Sequence, residues 1–247
     1  MTASNFNPYL PQNTPLFEAV YGRNLISLGG TTSIRNMFSG LNIKGHHALD
    51  VGFGMGGVAY YLAEKHQVSV SGVEVHRWMV EHATKHSPKL YANTLKFTTY
   101  DRNLPYASST FDLVYSKGVF NHIAKKEELF LEINEVMKPG GLFVIADWVY
   151  PYNVTDHSTP LVSESKESYE RVLSDAGFGN IEFRDDSKIF LGYINTFLNK
   201  LTRSRKQIEQ QYSKELFSGM RRNHEELIEK INRREKFAVR IVARKKG

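Results

Sequence analysis

Ala48-Leu49-Asp50-Val51-Gly52-Phe53-Gly54-Met55-Gly56-Gly57 joins an apolar strand end to an acid and then to a glycine-rich turn ahead of a helix. Glycines in such a turn take positive φ and let backbone N–H groups approach a ligand with no Cβ in the way. The following helix N-terminus adds a positive end. The stretch therefore predicts an open α/β sheet with a ligand at the carboxyl end of its first strand. The same letters satisfy Gly52-x-Gly54-x-x-Gly57, a pattern shared with dinucleotide sites, so the glycines alone leave nicotinamide chemistry open.

The residues downstream narrow the choice. Asp50 stands two positions before the first glycine, at a strand tip, where it organises the loop and meets the cationic amino-acid end of an adenosyl cofactor. Dinucleotides present no such cation. Val68-Ser69-Val70-Ser71-Gly72-Val73 ends at Glu74, placed to accept hydrogen bonds from both ribose hydroxyls, a role common to both cofactor classes. Leu95-Lys96-Phe97-Thr98-Thr99-Tyr100 ends at Asp101, an acid suited to the adenine amino group. Phe111-Asp112-Leu113-Val114-Tyr115-Ser116 and Met137-Lys138-Pro139-Gly140-Gly141-Leu142-Phe143-Val144-Ile145-Ala146-Asp147 supply a fourth strand and a helix-to-strand Pro-Gly-Gly turn. These ordered signals at successive strand ends predict a class I S-adenosylmethionine site. The fold expected is Rossmann-like α/β: a mostly parallel seven-stranded sheet with helices on both faces, since strand-like runs alternate with helical patterns from Leu41 to Phe183.

At 247 residues the chain buries a full core as one α/β domain with elaborations. The divisions expected are an N-terminal lid segment over 1–40, a cofactor-binding core over 41–186, a helical substrate cap over 187–235, and a last strand with a basic tail over 236–247. No internal repeat, low-complexity tract, signal peptide or bilayer-length apolar run is read, and a cytoplasmic enzyme with no membrane partner is the expectation. The absence of cysteine excludes disulfides, thiolate zinc sites and thiol catalysis. The net charge of +6 raises the question of nucleic acid. Arg203, Arg205, Lys206, Arg221, Arg222, Arg233, Arg234 and Lys236 crowd the end of the chain, but Glu209, Glu215, Glu225, Glu226, Glu229 and Glu235 lie among them. That interleaving reads as a salt-bridged helix face rather than a phosphate track, so no nucleic-acid partner is expected. No metal is expected either: His46, His47, His66, His76, His82 and His86 show no His-Glu-x-x-His spacing, and His82 and His86 read as surface neighbours one helical turn apart.

Two additions flank the core. Asn5 to Gly30 carries Pro8, Pro11 and Pro15, a helical stretch from Leu16 to Tyr21, and the pair Gly29-Gly30; it reads either as a lid over the cofactor loop or as an arm on the sheet edge. Ser187 to Arg234 forms long polar helices with apolar residues at Phe190, Tyr193, Ile194, Phe197, Leu198 and Leu201, between a sixth strand at Asn180 to Phe183 and a last strand near Phe237 to Val242. It either overhangs the substrate end of the sheet or forms a dimerisation face, and the oligomeric state is left open. His122 follows Tyr115-Ser116-Lys117-Gly118 at the end of the fourth strand, where an imidazole titrating near neutrality is suited to take a proton from an amine or hydroxyl. A capping or packing histidine is the alternative.

Tyr9, then Phe17-Glu18-Ala19-Val20-Tyr21-Gly22-Arg23-Asn24-Leu25-Ile26-Ser27-Leu28-Gly29-Gly30, the Leu49-Asp50-Val51-Gly52 loop, Tyr115-Ser116-Lys117 and Asn121-His122 resemble the phosphoethanolamine methyltransferase family over nearly the whole chain. The Ile-Ser-x-Gly-Gly motif is more specific than the glycine loop. The resemblance implies that Tyr9 and His122 form a catalytic dyad across the acceptor pocket, the tyrosine closing the lid and the histidine serving as base or latch. It implies that Ile26 and Ser27 touch the methionine part of the cofactor, that Gly52 lines its backbone, that Glu74 holds the ribose and Asp101 the adenine. Ser116 and Lys117 line the back of the site, and Gly54, Val75 and Arg102 complete the cofactor set.

Departures from the family bear on the acceptor. Gly118 stands where the family carries an acid, Trp148 stands where it carries a tyrosine, and neither the arginine nor the tyrosine that grips phosphate is found near His157 to Val162. A phosphate without cationic donors would be poorly desolvated. A glycine opens space and a tryptophan offers a flat face, so Phe120, Trp148, Tyr150 and Tyr152 suit a planar heteroaromatic, or are core and rim aromatics. The acceptor side is thus read as Tyr9, Gly118, His122 and Trp148. The activity expected is methyl transfer to a nitrogen of a small molecule. The alternatives are O- or C-methylation of an aromatic metabolite, phosphoethanolamine N-methylation, and nucleic-acid or protein methylation, which the predicted cover disfavours.

Overall fold

The computed structural model describes residues 9–123, 125–152 and 164–247; the expectations for Asn5, Pro8 and His157 to Val162 lie outside them. Seven strands form a single sheet: β1 (His47–Val51), β2 (Ser69–Glu74), β3 (Leu95–Thr99), β4 (Phe111–Lys117), β5 (Met137–Val149), β6 (Phe178–Asp185) and β7 (Phe237–Lys245). Their order is β3-β2-β1-β4-β5-β7-β6. β1 to β5 pair in parallel, and β7 enters antiparallel between β5 and β6. Strand order reverses between β1 and β4, so the crevice of the fold opens at the carboxyl end of β1.

Period-two alternation sends β1 side chains to two cores. Leu49 and Val51 join Phe111, Phe130, Phe143 and Phe178 on one face, with α5 (Lys126–Val136) and α6 (Lys166–Asp175) over them. Ala48 joins Val58, Leu62, Tyr115 and Val144 on the other, under α2 (Gly30–Met37) and α3 (Gly57–His66). A third core lies outside the sheet: Leu16 and Val20 of α1 (Thr14–Tyr21) pack with Phe197 and Leu201 of α7 (Ser187–Arg203), Ile208 of α8 (Arg205–Gln211), and Leu216 and Phe217 of α9 (Lys214–Asn232). The N-terminal helix and the inserted helices are thus one cover, bound by their shared apolar stripe. The span 1–40 is divided in the process, because Ile34 and Met37 of α2 belong to the sheet core.

Three local features differ in extent from the sequence reading. Pro139-Gly140-Gly141 lies inside β5 rather than ahead of it: Met137 already pairs with Phe111, and the register shifts before Leu142 meets Leu113. Gly140, with φ +75°, supplies that bulge. β6 extends beyond Asn180–Phe183 on both sides through a register shift between Gly179 and Glu182, where Asn180 takes φ +48°. β7 runs to Lys245, so part of the basic tail is strand. On the cover, Arg205–Glu209, Arg221–Glu225 and Glu229–Arg233 form i,i+4 ion pairs, the expected salt-bridged face.

Candidate active site

The carboxyl ends of β1, β2, β4 and β5 open into a cavity of about 780 Å³, roofed by residues of α1, α7 and α9. Asp50 lies on its wall, buried, with Oδ2 lacking a hydrogen-bond partner among the described residues. Burial pushes its carboxyl up to about 8, a rise that the neighbouring Tyr115 hydroxyl opposes and Glu74 reinforces. A buried carboxyl oxygen without a partner costs stability unless a cation or donor reaches it.

The glycine loop is folded around Glu74. Gly52 takes φ +74°, and a Cβ there would stand 2.5 Å from the Val119 side chain. The Gly54 N–H donates to Glu74 Oε2 at 3.1 Å, and the His76 N–H donates to Oε1 at 3.2 Å. Oε2 keeps a lone pair for a further donor, whereas Oε1 also has the His76 Nδ1 at 3.1 Å. Ile26 packs on Gly54, where a Cβ would meet its Cδ1 at 2.8 Å. Lys117, at the end of β4, donates through Nζ to Ser27 Oγ and to the Leu28 carbonyl at 3.3 Å, tying the Ile-Ser-x-Gly-Gly loop to the sheet. Burial pushes its ammonium down to about 8.

Gly57 closes the loop against the turn that follows α1. Its N–H donates to the Asn24 carbonyl at 3.1 Å, and a Cβ on it would stand 2.5 Å from that oxygen. Gly57→Ala is expected to force the Asn24 turn away at a cost of about 1–3 kcal/mol. A calorimetric Tm lowered by roughly 2–10 °C would register it; an unchanged Tm would show that the Asn24 turn yields freely.

His122 sits on a short 3₁₀ turn (Phe120–His122) held by Asp147, whose Oδ2 accepts the Asn121 N–H at 3.1 Å while Oδ1 accepts the Trp148 N–H at 2.8 Å. Burial raises the Asp147 carboxyl to about 6. The His122 imidazole lines the cavity, and loss of surrounding water, with the Lys236 ammonium, holds it below its ordinary pKa. The Tyr9 ring stands edge-on to it at 6.3 Å between centroids and stacks on His76 at 5.1 Å. Burial and the nearby Glu74 raise the Tyr9 hydroxyl above its usual value.

The cavity wall includes Tyr9, Ile26, Ser27, Asp50, Gly52, Gly54, Glu74, Val75, Arg102, Lys117, Gly118, His122 and Trp148 of the residues read from sequence. Two others stand off it. Ser116 is fully buried and spends its hydroxyl on the Val51 carbonyl at 2.8 Å, stapling β4 to β1. Asp101 is exposed, while its neighbours Tyr100 and Arg102 form the wall. Gly118 has φ +71° and open space where a Cβ would point. Of the aromatics, Trp148 faces the cavity with Phe190 at its edge, 5.2 Å away. Phe120 is core against Phe130 and Phe143, and Tyr152 is exposed.

Sequence reading missed His76, His224 and Lys236. Lys236 precedes β7 and holds its ammonium over Trp148 at 4.7 Å and Tyr150 at 5.2 Å. His224, on α9, stacks on Phe197 at 3.8 Å. His82 is more than a surface neighbour, since Nε2 reaches Asn24 Oδ1 at 3.1 Å. Among the described residues no group of three or more His, Cys, Asp or Glu is placed to hold a metal ion, and no helix is long and apolar enough to cross a membrane.

A glycine loop at the switch point, acids at the carboxyl ends of β1 and β2, and a covered cavity define a methyltransferase-like site on a Rossmann-like sheet. A methyltransferase-domain family model matches residues 42–217, and the chain belongs to that family. Among its relatives, phosphoethanolamine N-methyltransferase 3 of Arabidopsis thaliana is 27% identical over 208 residues, covering 81% of this chain and 42% of the plant protein. The phosphoethanolamine N-methyltransferase of Plasmodium falciparum is 26% identical over 191 residues, covering 72% of this chain and 71% of the relative. The chain thus spans less than half the length of the plant relatives it matches. The fold is that of Haemonchus contortus phosphoethanolamine N-methyltransferase 2, solved with phosphomonomethylethanolamine and S-adenosylhomocysteine: TM-score 0.87, 21% identity, over 98% of this chain and 58% of that one.

Proposed function

We propose that this chain transfers the methyl group of S-adenosylmethionine to a nitrogen of a small molecule. The observation that carries the reading is one covered cavity whose wall joins Asp50 and Glu74 of the glycine loop to Tyr9, His122 and Trp148. The residues fit the cofactor: the unpartnered, buried Asp50 Oδ2 suits a cationic amino group, and Glu74 Oε2 keeps a lone pair for a ribose hydroxyl. The cofactor supplies an already activated methyl group, so the protein's work is positioning and exclusion of water. Ile26, Ser27 and Lys117 would hold its methionine end, and Val75, Tyr100 and Arg102 its adenosyl end. His122, neutral at pH 7 because its pKa is held down, takes the acceptor proton or orients the lone pair. Tyr9 covers the acceptor and fixes its angle of approach.

The substrate of the named relatives, phosphoethanolamine, joins an amine to a phosphate. Lys236 is a cation on the cavity wall, but Gly118 leaves the amine without an acid. That opening, with Trp148 and Phe190 beside it, favours a flat, uncharged nucleophile as the second reading, with oxygen or carbon as acceptor atom. A nucleic-acid or protein acceptor would need an open face, and the shared core of α1 with α7 to α9 covers that side.

Thermal shift tests both parts. At about 100 times its Kd, S-adenosylhomocysteine should add roughly 2.7 kcal/mol and raise Tm by about 5–10 °C, whereas NAD(P)H should not. No shift with S-adenosylhomocysteine overturns the cofactor assignment. A further rise with phosphoethanolamine supports the relatives' substrate; a rise only with a nitrogen heteroaromatic supports the second reading.

A further inference from the structure

The site holds Tyr9 from the cofactor side. The Trp78 Nε1–H, in the first turn of α4 (Arg77–His86), donates to the Tyr9 carbonyl at 2.9 Å. The Tyr9 ring lies on the His76 imidazole with an interplanar angle of 22°. His76 is itself fixed, because its N–H donates to Glu74 Oε1 and its Nδ1 lies 3.1 Å from the same oxygen. The other oxygen of Glu74 takes the Gly54 N–H. One carboxylate therefore anchors both the glycine loop and the bed on which Tyr9 rests. One turn beyond Trp78, His82 reaches Asn24 on the far side of α1, so α4 grips the lid at both ends of that helix.

We infer that His76 and Trp78 are positioning residues for Tyr9, which tie the seating of the lid tyrosine to the acid that faces the cofactor. This rests on the reading of Tyr9 given above. Stacking on His76 sets the plane of the ring, and the carbonyl bond from Trp78 sets its depth, leaving the ring edge toward His122. Neither residue needs to touch the acceptor. Loosening either leaves the cofactor site in place but lets Tyr9 wander, and a small misplacement costs rate.

The test uses the full chain saturated with S-adenosylhomocysteine. Trp78→Phe keeps the ring and deletes the donor; His76→Ala deletes the stack; His76→Phe restores an aromatic bed. Amide exchange over residues 9–21 should quicken about 3- to 10-fold in Trp78→Phe and His76→Ala, stay near the parent in His76→Phe, and be unchanged in β1 and β4 in all three. Unchanged exchange over 9–21 in Trp78→Phe and His76→Ala overturns the inference, as does equal quickening throughout the sheet. Turnover adds a second readout, measured as S-adenosylhomocysteine release with phosphoethanolamine and with whichever acceptor shifts Tm. Trp78→Phe should lower kcat about 5-fold with the KM for S-adenosylmethionine unmoved, and should add less than about 2-fold once Tyr9→Phe is present. Multiplying effects would mean that Trp78 acts apart from Tyr9. A fully active Tyr9→Phe with quickened exchange in Trp78→Phe would remove the catalytic reading of Tyr9 and leave its positioning intact.

Discussion

His122→Ala should lower kcat by about 10²- to 10⁴-fold, the usual worth of a positioned acid or base, while changing the affinity for S-adenosylhomocysteine by less than about 2-fold. The separation follows from where the residue stands. His122 lies on the cavity wall, on the turn pinned by Asp147, whereas the loop proposed to face the cofactor follows β1 and is tied to Glu74 of β2. The pH profile gives the same role a sign. Burial and then Lys236 hold the imidazole below 6.5, so the neutral imidazole is present at neutral pH and is lost only as pH falls through that lowered value. The acid limb of kcat/KM should therefore lie below pH 6.5. Lys236→Met removes the cation that helps to depress it and should move the limb upward. Full turnover in His122→Ala with a verified acceptor would reduce the residue to packing, and a limb that ignores Lys236 would belong to another group.

The fold was legible because its signals are local. A strand tip, an acid and a glycine turn are contiguous in the chain, and only an open sheet with a switch point uses them together. Helix periodicity at Phe197 and Leu201 likewise announced a buried stripe, and the stripe found its partner in α1. The far wall of the cavity was less legible because its members come from elements far apart in sequence. Lys236 has no pattern of its own; it matters because β7 returns between β5 and β6 and brings its first residues beside Trp148. Phe120 shows the converse. Adjacent to the site in sequence, it turns into the core with Phe130 and Phe143, because a 3₁₀ turn sends neighbouring side chains in different directions. Trp78 carried no signal in the sequence and His76 stood only among scattered histidines, since their partner Tyr9 comes from the distant segment ahead of α1.

Asp50→Asn should weaken S-adenosylhomocysteine binding by about 30- to 1,000-fold, equivalent to roughly 2–4 kcal/mol, the cost of removing one partner from a buried charge pair. The reason lies in the free protein. Its carboxyl is raised from 3.8 to about 8 by burial, so at pH 7 the unliganded site holds Asp50 largely protonated. A cationic amino group beside Oδ2 reverses that balance and ionises it. Binding at pH 7 should then release a proton, visible as a calorimetric heat that varies with the ionisation enthalpy of the buffer, and the release should vanish in Asp50→Asn. The same shift fixes the sign for stability. A carboxyl whose folded value lies above its unfolded value contributes fully below about pH 3.8 and loses that contribution as pH rises through about 8. The free parent should therefore fall in Tm across this window relative to Asp50→Asn, and bound S-adenosylhomocysteine should flatten the difference. Buffer-independent binding heat, or an Asn variant that binds as tightly as the parent, would mean that the amino-acid end of the cofactor lies elsewhere in the cavity.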